Sequence, residues 1–124
     1  MIELYDSHCH LDAPEFDPDR PAVVARARAA GVGWQLVPAV SRAAWPGLRA
    51  ACALDPGLLP AYGLHPMYLD QHRDEHLDEL ADWLATERPA AVGECGLDYF
   101  VEGLDPERQR HFFQAQLELA RDFD

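Results

Sequence analysis

Residues 2–10 read Ile2-Glu3-Leu4-Tyr5-Asp6-Ser7-His8-Cys9-His10. Read as a strand, with side chains alternating between faces, Ile2, Leu4, Asp6, His8 and His10 share one side. That side is apolar where it begins and polar where it ends. A buried strand does not carry two imidazoles and a carboxylate unless something satisfies them. Two histidines two residues apart on a strand point the same way, and their ring nitrogens can reach one divalent ion. Cys9 falls on the opposite face and is not counted as a ligand.

The same gradient recurs further along the chain. Over 58–65, Leu59, Ala61, Gly63 and His65 share a face. Over 90–98, Val92, Glu94, Gly96 and Asp98 do so. Three predicted strands therefore place polar, metal-competent groups at their C-terminal ends. In parallel α/β folds those ends form the functional face, whether the sheet is an open crevice or a closed barrel.

Between these strands the sequence supplies helices. Residues 20–30 read as a helix, with Asp17 or Asp19 as cap, Pro21 early and Gly31 as stop. Residues 32–40 are apolar enough for a buried strand, and 46–54 form a short helix ended by Asp55-Pro56-Gly57. Residues 74–87 carry Leu77, Leu80, Ala81 and Leu84 along one stripe. Residues 106–123 form the last helix, with Phe113, Gln116, Leu117 and Ala120 on a common face. Four strand–helix units in a row predict a parallel sheet covered by helices. An open doubly wound sheet and part of a (β/α)8 barrel both satisfy that pattern. No Gly-x-Gly-x-x-Gly follows the first strand, so a dinucleotide fold has no support. A full barrel needs about 250 residues; the 124 residues here hold half the units, in one domain spanning 1–124.

Composition bounds the partners. There are 22 acidic residues against 10 basic ones, for a net charge of −12, and every basic residue is arginine. Such a surface repels polyanions at long range, which argues against a nucleic-acid reader with a basic footprint. It leaves room for an enzyme whose bound cations supply local positive charge. No apolar run reaches the ~20 residues of a membrane span, and no signal-peptide pattern is visible. Cys9, Cys52 and Cys95 are odd in number and widely spaced, so no disulfide framework is expected and a cytoplasmic location is. Cys52 and Cys95 read as core or helix-facing thiols. His72, His76 and His111 read as surface residues, and Tyr5, Trp34, Trp45, Tyr62 and Trp83 as core. Taken alone, His65 reads either as a catalytic group or as a loop histidine bonded to backbone.

These motifs carry a resemblance. Asp6-Ser-His8-Cys-His10-Leu11-Asp12, Tyr62-Gly-Leu-His65-Pro66, Val92-Gly-Glu94-Cys-Gly-Leu-Asp98-Tyr99 and the run from Gln109 to Ala120 resemble, in order, motifs of the TatD family of metal-dependent deoxyribonucleases. The resemblance covers the whole chain and implies the N-terminal half of a (β/α)8 barrel of the metal-dependent hydrolase type. It implies phosphodiester hydrolysis of DNA, 3′→5′ exonuclease-like, at a site of two divalent ions (Zn2+, Mn2+ or Mg2+). By matching position His8 and His10 are metal ligands and Glu94 is shared between the two metals. His65 stands at the pocket edge, in reach of substrate phosphate, and Asp98 gives pocket support. The family's remaining ligands, two histidines and an aspartate from the second half of the barrel, are not among these residues. Two other readings follow: a non-catalytic half-barrel or interaction module that self-associates or pairs with a separate second half, and a related barrel acting on an amide, lactone or aminoacyl ester.

Overall fold

The computed structural model describes residues 2–124. Four strands, β1 (Leu4–Asp6), β2 (Val32–Pro38), β3 (Leu58–Tyr62) and β4 (Ala91–Val92), alternate with four helices, α1 (Arg20–Ala29), α2 (Trp45–Cys52), α3 (Glu75–Glu87) and α4 (Pro106–Asp122). The strands pair in the order β1-β2-β3-β4, and every pairing is parallel. Sequential order with a helix between each pair is the barrel arrangement, so of the two expected architectures the chain forms half of a (β/α)8 barrel. Short 3-10 turns at Pro14–Phe16, Arg42–Ala44 and Pro66–Gln71 shape the loops after β1, β2 and β3.

The core lies between sheet and helices. Val37 and Ala39 from β2 and its extension, and Leu58, Tyr62 and Leu64 from β3 and its extension, pack with Trp45 and Leu48 of α2, Leu80 and Leu84 of α3 and Phe112 of α4. Trp45, Tyr62 and Trp83 form an aromatic cluster with ring centroids 5.5–6.5 Å apart. Residue 88, just past α3, takes the left-handed conformation with an arginine, at φ 48°.

Several expectations are corrected. The strand expected over 2–10 is confined to Leu4–Asp6, with a slip of register inside it between Leu4 and Tyr5; beyond it Cys9 N–H still donates to the Leu36 carbonyl at 3.0 Å. The strand expected over 90–98 shrinks to Ala91–Val92. His72 and His76 are buried rather than surface residues, at 3% and 8% exposure. Both are held by main chain: His72 Nε2 donates to the His65 carbonyl at 2.7 Å, and His76 Nδ1 accepts from Arg73 N–H at 3.1 Å. Tyr5 and Trp34 are not core residues; they stack on each other, centroids 6.4 Å apart, on the open side of the sheet. Helix α4 is rotated from the expected face: Gln109, Phe112 and Gln116 are buried and Leu119 and Phe123 pack beside them, while Leu117 is exposed.

Candidate metal centre

The four C-terminal strand ends open onto one face, and three candidate side chains meet there. The Nε2 atoms of His8 and His10 stand 3.2 Å apart, and each lies 3.3–3.4 Å from Glu94 Oε2. The possible ligand atoms of these three residues all fall within 4.8 Å of one another. Two imidazole nitrogens and a carboxylate oxygen are a good donor set for a divalent transition ion. The rings meet edge to face, 80° between planes, so both nitrogens converge without the rings stacking.

The backbone explains how the residues arrive. His8 N–H is held by Asp6 Oδ1 at 3.1 Å, which turns the chain as it leaves β1. The loop that follows is held by Arg20, in the first turn of α1: its guanidinium donates to the carbonyls of Leu11, Asp12 and Ala13 and pairs with Asp17. Arg20 is therefore part of the scaffold under the two histidines. Glu94 arrives by a different route. After β4, Gly93 N–H donates to the Tyr62 carbonyl at 2.9 Å, but Glu94 N–H donates to the Ala39 carbonyl, also at 2.9 Å. Ala39 belongs to the extension of β2, so the main chain has crossed over the end of β3. Gly63 makes the crossing possible, since a Cβ there would stand 2.6 Å from the Gly93 carbonyl carbon. The Gly63 carbonyl in turn accepts from the buried Trp45 indole at 3.1 Å.

His65 is the fourth group. Its Nδ1 accepts from Met67 N–H at 3.0 Å, capping the Pro66–Gln71 turn. That bond leaves Nε2 as the protonated nitrogen of the neutral ring, and Nε2 faces Glu94 Oε1 at 3.2 Å. The two oxygens of Glu94 thus face different neighbours, Oε2 the histidine pair and Oε1 His65. Asp98 stands outside this group. Its Oδ1 accepts from Phe100 and Val101 N–H at 3.0 and 3.1 Å, forming a turn, and its own main chain is bonded to Gln109. The glutamines of α4 that hold these loops carry a legible signal only in hindsight: a polar residue recurring seven positions apart on a buried helical stripe. Beside His10 a cleft of about 470 Å3 opens between the loop after β1 and the start of α2, bordered by Asp12, Val40, Gly47 and Tyr68.

The metal-competent cluster among the described residues includes none of the three thiols. Burial pushes the Cys9 and Cys95 thiols up from their ordinary range and Cys52 up to about 12.

The chain resembles known proteins over nearly all of its length. The chain is 41% identical over 127 residues to the uncharacterized metal-dependent hydrolase YjjV of Escherichia coli K12, covering 100% of this chain and 49% of that protein. It is 32% identical over 117 residues to the 3′-5′ ssDNA/RNA exonuclease TatD of Cronobacter sakazakii, covering 94% and 44%. The crystal structure of YjjV superposes with a TM-score of 0.90 at 40% identity over 98% of this chain and 48% of that one. A TatD-family hydrolase from Entamoeba histolytica superposes at 0.83 over 97% and 46%, at 19% identity, which shows the shared fold alone. The chain spans about half the length of the curated relatives it matches. A family profile described as TatD related DNase matches residues 5–124, and the chain belongs to that family.

Proposed function

We propose that the chain carries the first-half ligands of a metal-dependent phosphodiesterase that removes nucleotides from DNA in the 3′→5′ direction. The observation that supports this is the disposition of Glu94, with one oxygen toward His8 and His10 and the other toward His65. A carboxylate presenting its two oxygens to separate neighbours suits a site of two divalent ions. His8, His10 and Glu94 would hold the first, and Glu94 would contribute to the second.

Bound ions supply Lewis acidity toward the phosphate and lower the pKa of a coordinated water. The chain's own residues do the rest. The donor Nε2–H of His65 stands at the edge of the site, where a phosphate oxygen can accept it. Asp98, tied into its turn, would act only indirectly, by holding the segment that follows Glu94. The cleft beside His10 gives the substrate room. With a net charge of −12, the protein offers little long-range attraction to DNA, so binding relies on charge at the site itself. Cytoplasmic DNA is the proposed substrate. Among the described residues no helix is long and apolar enough to cross a membrane.

The test is a titration of Mn2+ into the metal-free chain and its Glu94→Ala variant, with release of nucleotides from single-stranded DNA followed in parallel. The parent is expected to bind metal stoichiometrically. The variant is expected to bind more than about 100-fold less tightly, beyond what loss of an outer partner costs. Nucleotide release unchanged in Glu94→Ala would reject the site.

A second reading has its own support. Ile2, Leu4, Tyr5 and Phe100 are exposed, and β1 and β4 each keep an unpaired side. Open strand edges promote pairing between chains, so self-association, or pairing with a separate second half, is the structural alternative. Tight metal binding without turnover, together with a dimeric mass in solution, favours this second reading.

A further inference from the structure

Helix α4 buries two glutamines completely, Gln109 at 1% exposure and Gln116 at 0%. Glutamine is an uncommon choice for a buried position, where leucine or methionine would pack without a polar group to satisfy. Seven residues apart, the pair sits on one helix face about two turns apart.

Each uses its amide in the same way. Gln116 Oε1 accepts from Leu64 N–H at 2.8 Å, while its Nε2 donates to the Leu64 carbonyl at 3.2 Å and to the Phe112 carbonyl at 3.0 Å. Gln109 Oε1 accepts from Asp98 N–H at 2.8 Å, and its Nε2 donates to the Asp98 carbonyl at 2.8 Å. A carboxamide carries one acceptor and one donor side by side, so each glutamine meets both main-chain groups of a single residue. That is the bonding a neighbouring strand would give. Leu64 lies just past the end of β3, and Asp98 lies six residues past the end of β4.

The consequence falls on the metal centre. Leu64 immediately precedes His65, whose Nε2 reaches Glu94. The His65 carbonyl is gripped from the other side by His72 Nε2. The His65 N–H itself donates to the Val40 carbonyl on the β2 side at 2.9 Å; on the opposite side the preceding peptide groups are held by the Gln116 side chain instead of by a strand.

We propose that Gln109 and Gln116 are positioning residues of the metal centre. From one face of α4 they act in place of an adjacent strand, holding the segments after β3 and β4 so that His65 keeps its reach to Glu94. This rests on the metal-centre reading above. The alternative is that both glutamines only fill space in the core.

The experiment compares the full chain with Gln116→Met, Gln109→Met and Leu84→Ala. Methionine keeps the length and removes the hydrogen bonds. Leu84 is buried in α3 and its side chain has no hydrogen-bonding group, so its truncation reports generic destabilisation. Two readouts are taken below the melting range: Mn2+ affinity, and the NMR resonances of the His65 ring in the metal-free chain. Gln116→Met is expected to shift the His65 ring signals, to leave those of His111 in place, and to weaken Mn2+ binding roughly tenfold. Gln109→Met is expected to weaken Mn2+ binding to a lesser degree. Leu84→Ala is expected to do none of these.

Equal effects from Leu84→Ala, or unmoved His65 signals in Gln116→Met, overturn the proposal. If the parent binds no Mn2+, the metal reading fails, and the His65 signals still decide the positioning role. If the methionine variants do not fold, amide exchange in the unaltered chain decides. Leu64 and Asp98 amides are expected to exchange as slowly as those of Ala61 and Tyr62, and exchange at open-loop rates overturns the assignment.

Discussion

Gly63 lies directly beneath Gly93: a methyl group on residue 63 would stand 2.6 Å from the Gly93 carbonyl carbon and 2.7 Å from its Cα. Both atoms are backbone and cannot rotate away. The contact is what lets the chain after β4 cross β3 and bond to Ala39.

Gly63→Ala is therefore expected to push the Gly93–Glu94 segment off its seat. Overpacking of this kind costs about 1–3 kcal/mol. The larger effect falls on the site, because Glu94 moves with the segment while His8 and His10 stay. Thermal melting and Mn2+ titration measured together check this. Metal affinity equal to that of the parent would show that the crossing does not set the position of Glu94.

Acid is expected to destabilise the fold through His72. Burial holds this imidazole below its ordinary range despite its bond to the His65 carbonyl, and His76, Arg108 and His65 add like charge around it. Its Nδ1 is buried without a hydrogen-bond partner. The unfolded chain therefore binds a proton more readily than the native one as pH falls below about 6.5, the usual histidine value. Stability is lost with falling pH, and none of this contribution is felt well above that value. Urea unfolding at pH 7 and pH 5 measures the difference. His72→Gln, which keeps a donor for the His65 carbonyl and does not titrate, is expected to narrow it. An equal difference in the two proteins would assign the acid sensitivity elsewhere.

At alkaline pH the relevant group is Cys52. Its thiol is pushed up to about 12, chiefly by desolvation, with Asp12 and Cys9 adding to the effect. The native state keeps the proton where the unfolded state gives it up, so stability declines as pH climbs past the ordinary thiol range toward that value. At pH 8 the nucleophilic thiolate is all but absent. Timed alkylation followed by mass spectrometry is expected to modify Cys52 last, at the rate of unfolding. Labelling of Cys52 in the native protein as fast as in urea would contradict its burial.

Arg88→Gly is expected to stabilise the chain. Residue 88 ends α3 at φ 48° and ψ 55°, with its N–H bonded to the Leu84 carbonyl. A side chain in the left-handed region costs roughly 1–2 kcal/mol, and glycine does not incur it. The added freedom of glycine in the unfolded chain offsets part of that gain, leaving about 0.5–1 kcal/mol. A rise in melting temperature checks it, and a fall would mean that the arginine side chain makes a compensating contact.

What the sequence could show depended on whether a residue's placement was periodic. His8 and His10 lie beyond β1, yet their ring nitrogens meet as the two-residue spacing requires. Leu77, Leu80 and Leu84 are buried or packed along α3 as the helical spacing required. Strand alternation puts Glu94 on a face that does not exist at that point, because β4 ends at Val92. Glu94 reaches the histidines through a crossing main chain, which no side-chain pattern encodes. Asp98 was placed on the same face, and its carboxylate instead closes a turn. His72 and His76 looked like surface residues because helical spacing cannot show that main-chain groups from a neighbouring turn are waiting for their nitrogens. The common face expected on α4 includes Gln116 but not Gln109, which hydropathy counts as solvent-facing although a satisfied amide is at home in a core.

The grip of Arg20 on three successive carbonyls has a mechanical consequence. A planar fork anchored at the root of α1 ties down the stretch that trails the paired imidazoles. Three hydrogen bonds couple that stretch, just past the histidine pair, to the first turn of a ten-residue helix. Replacing the fork with a single ammonium, as in Arg20→Lys, would slacken the mooring while leaving the net charge untouched.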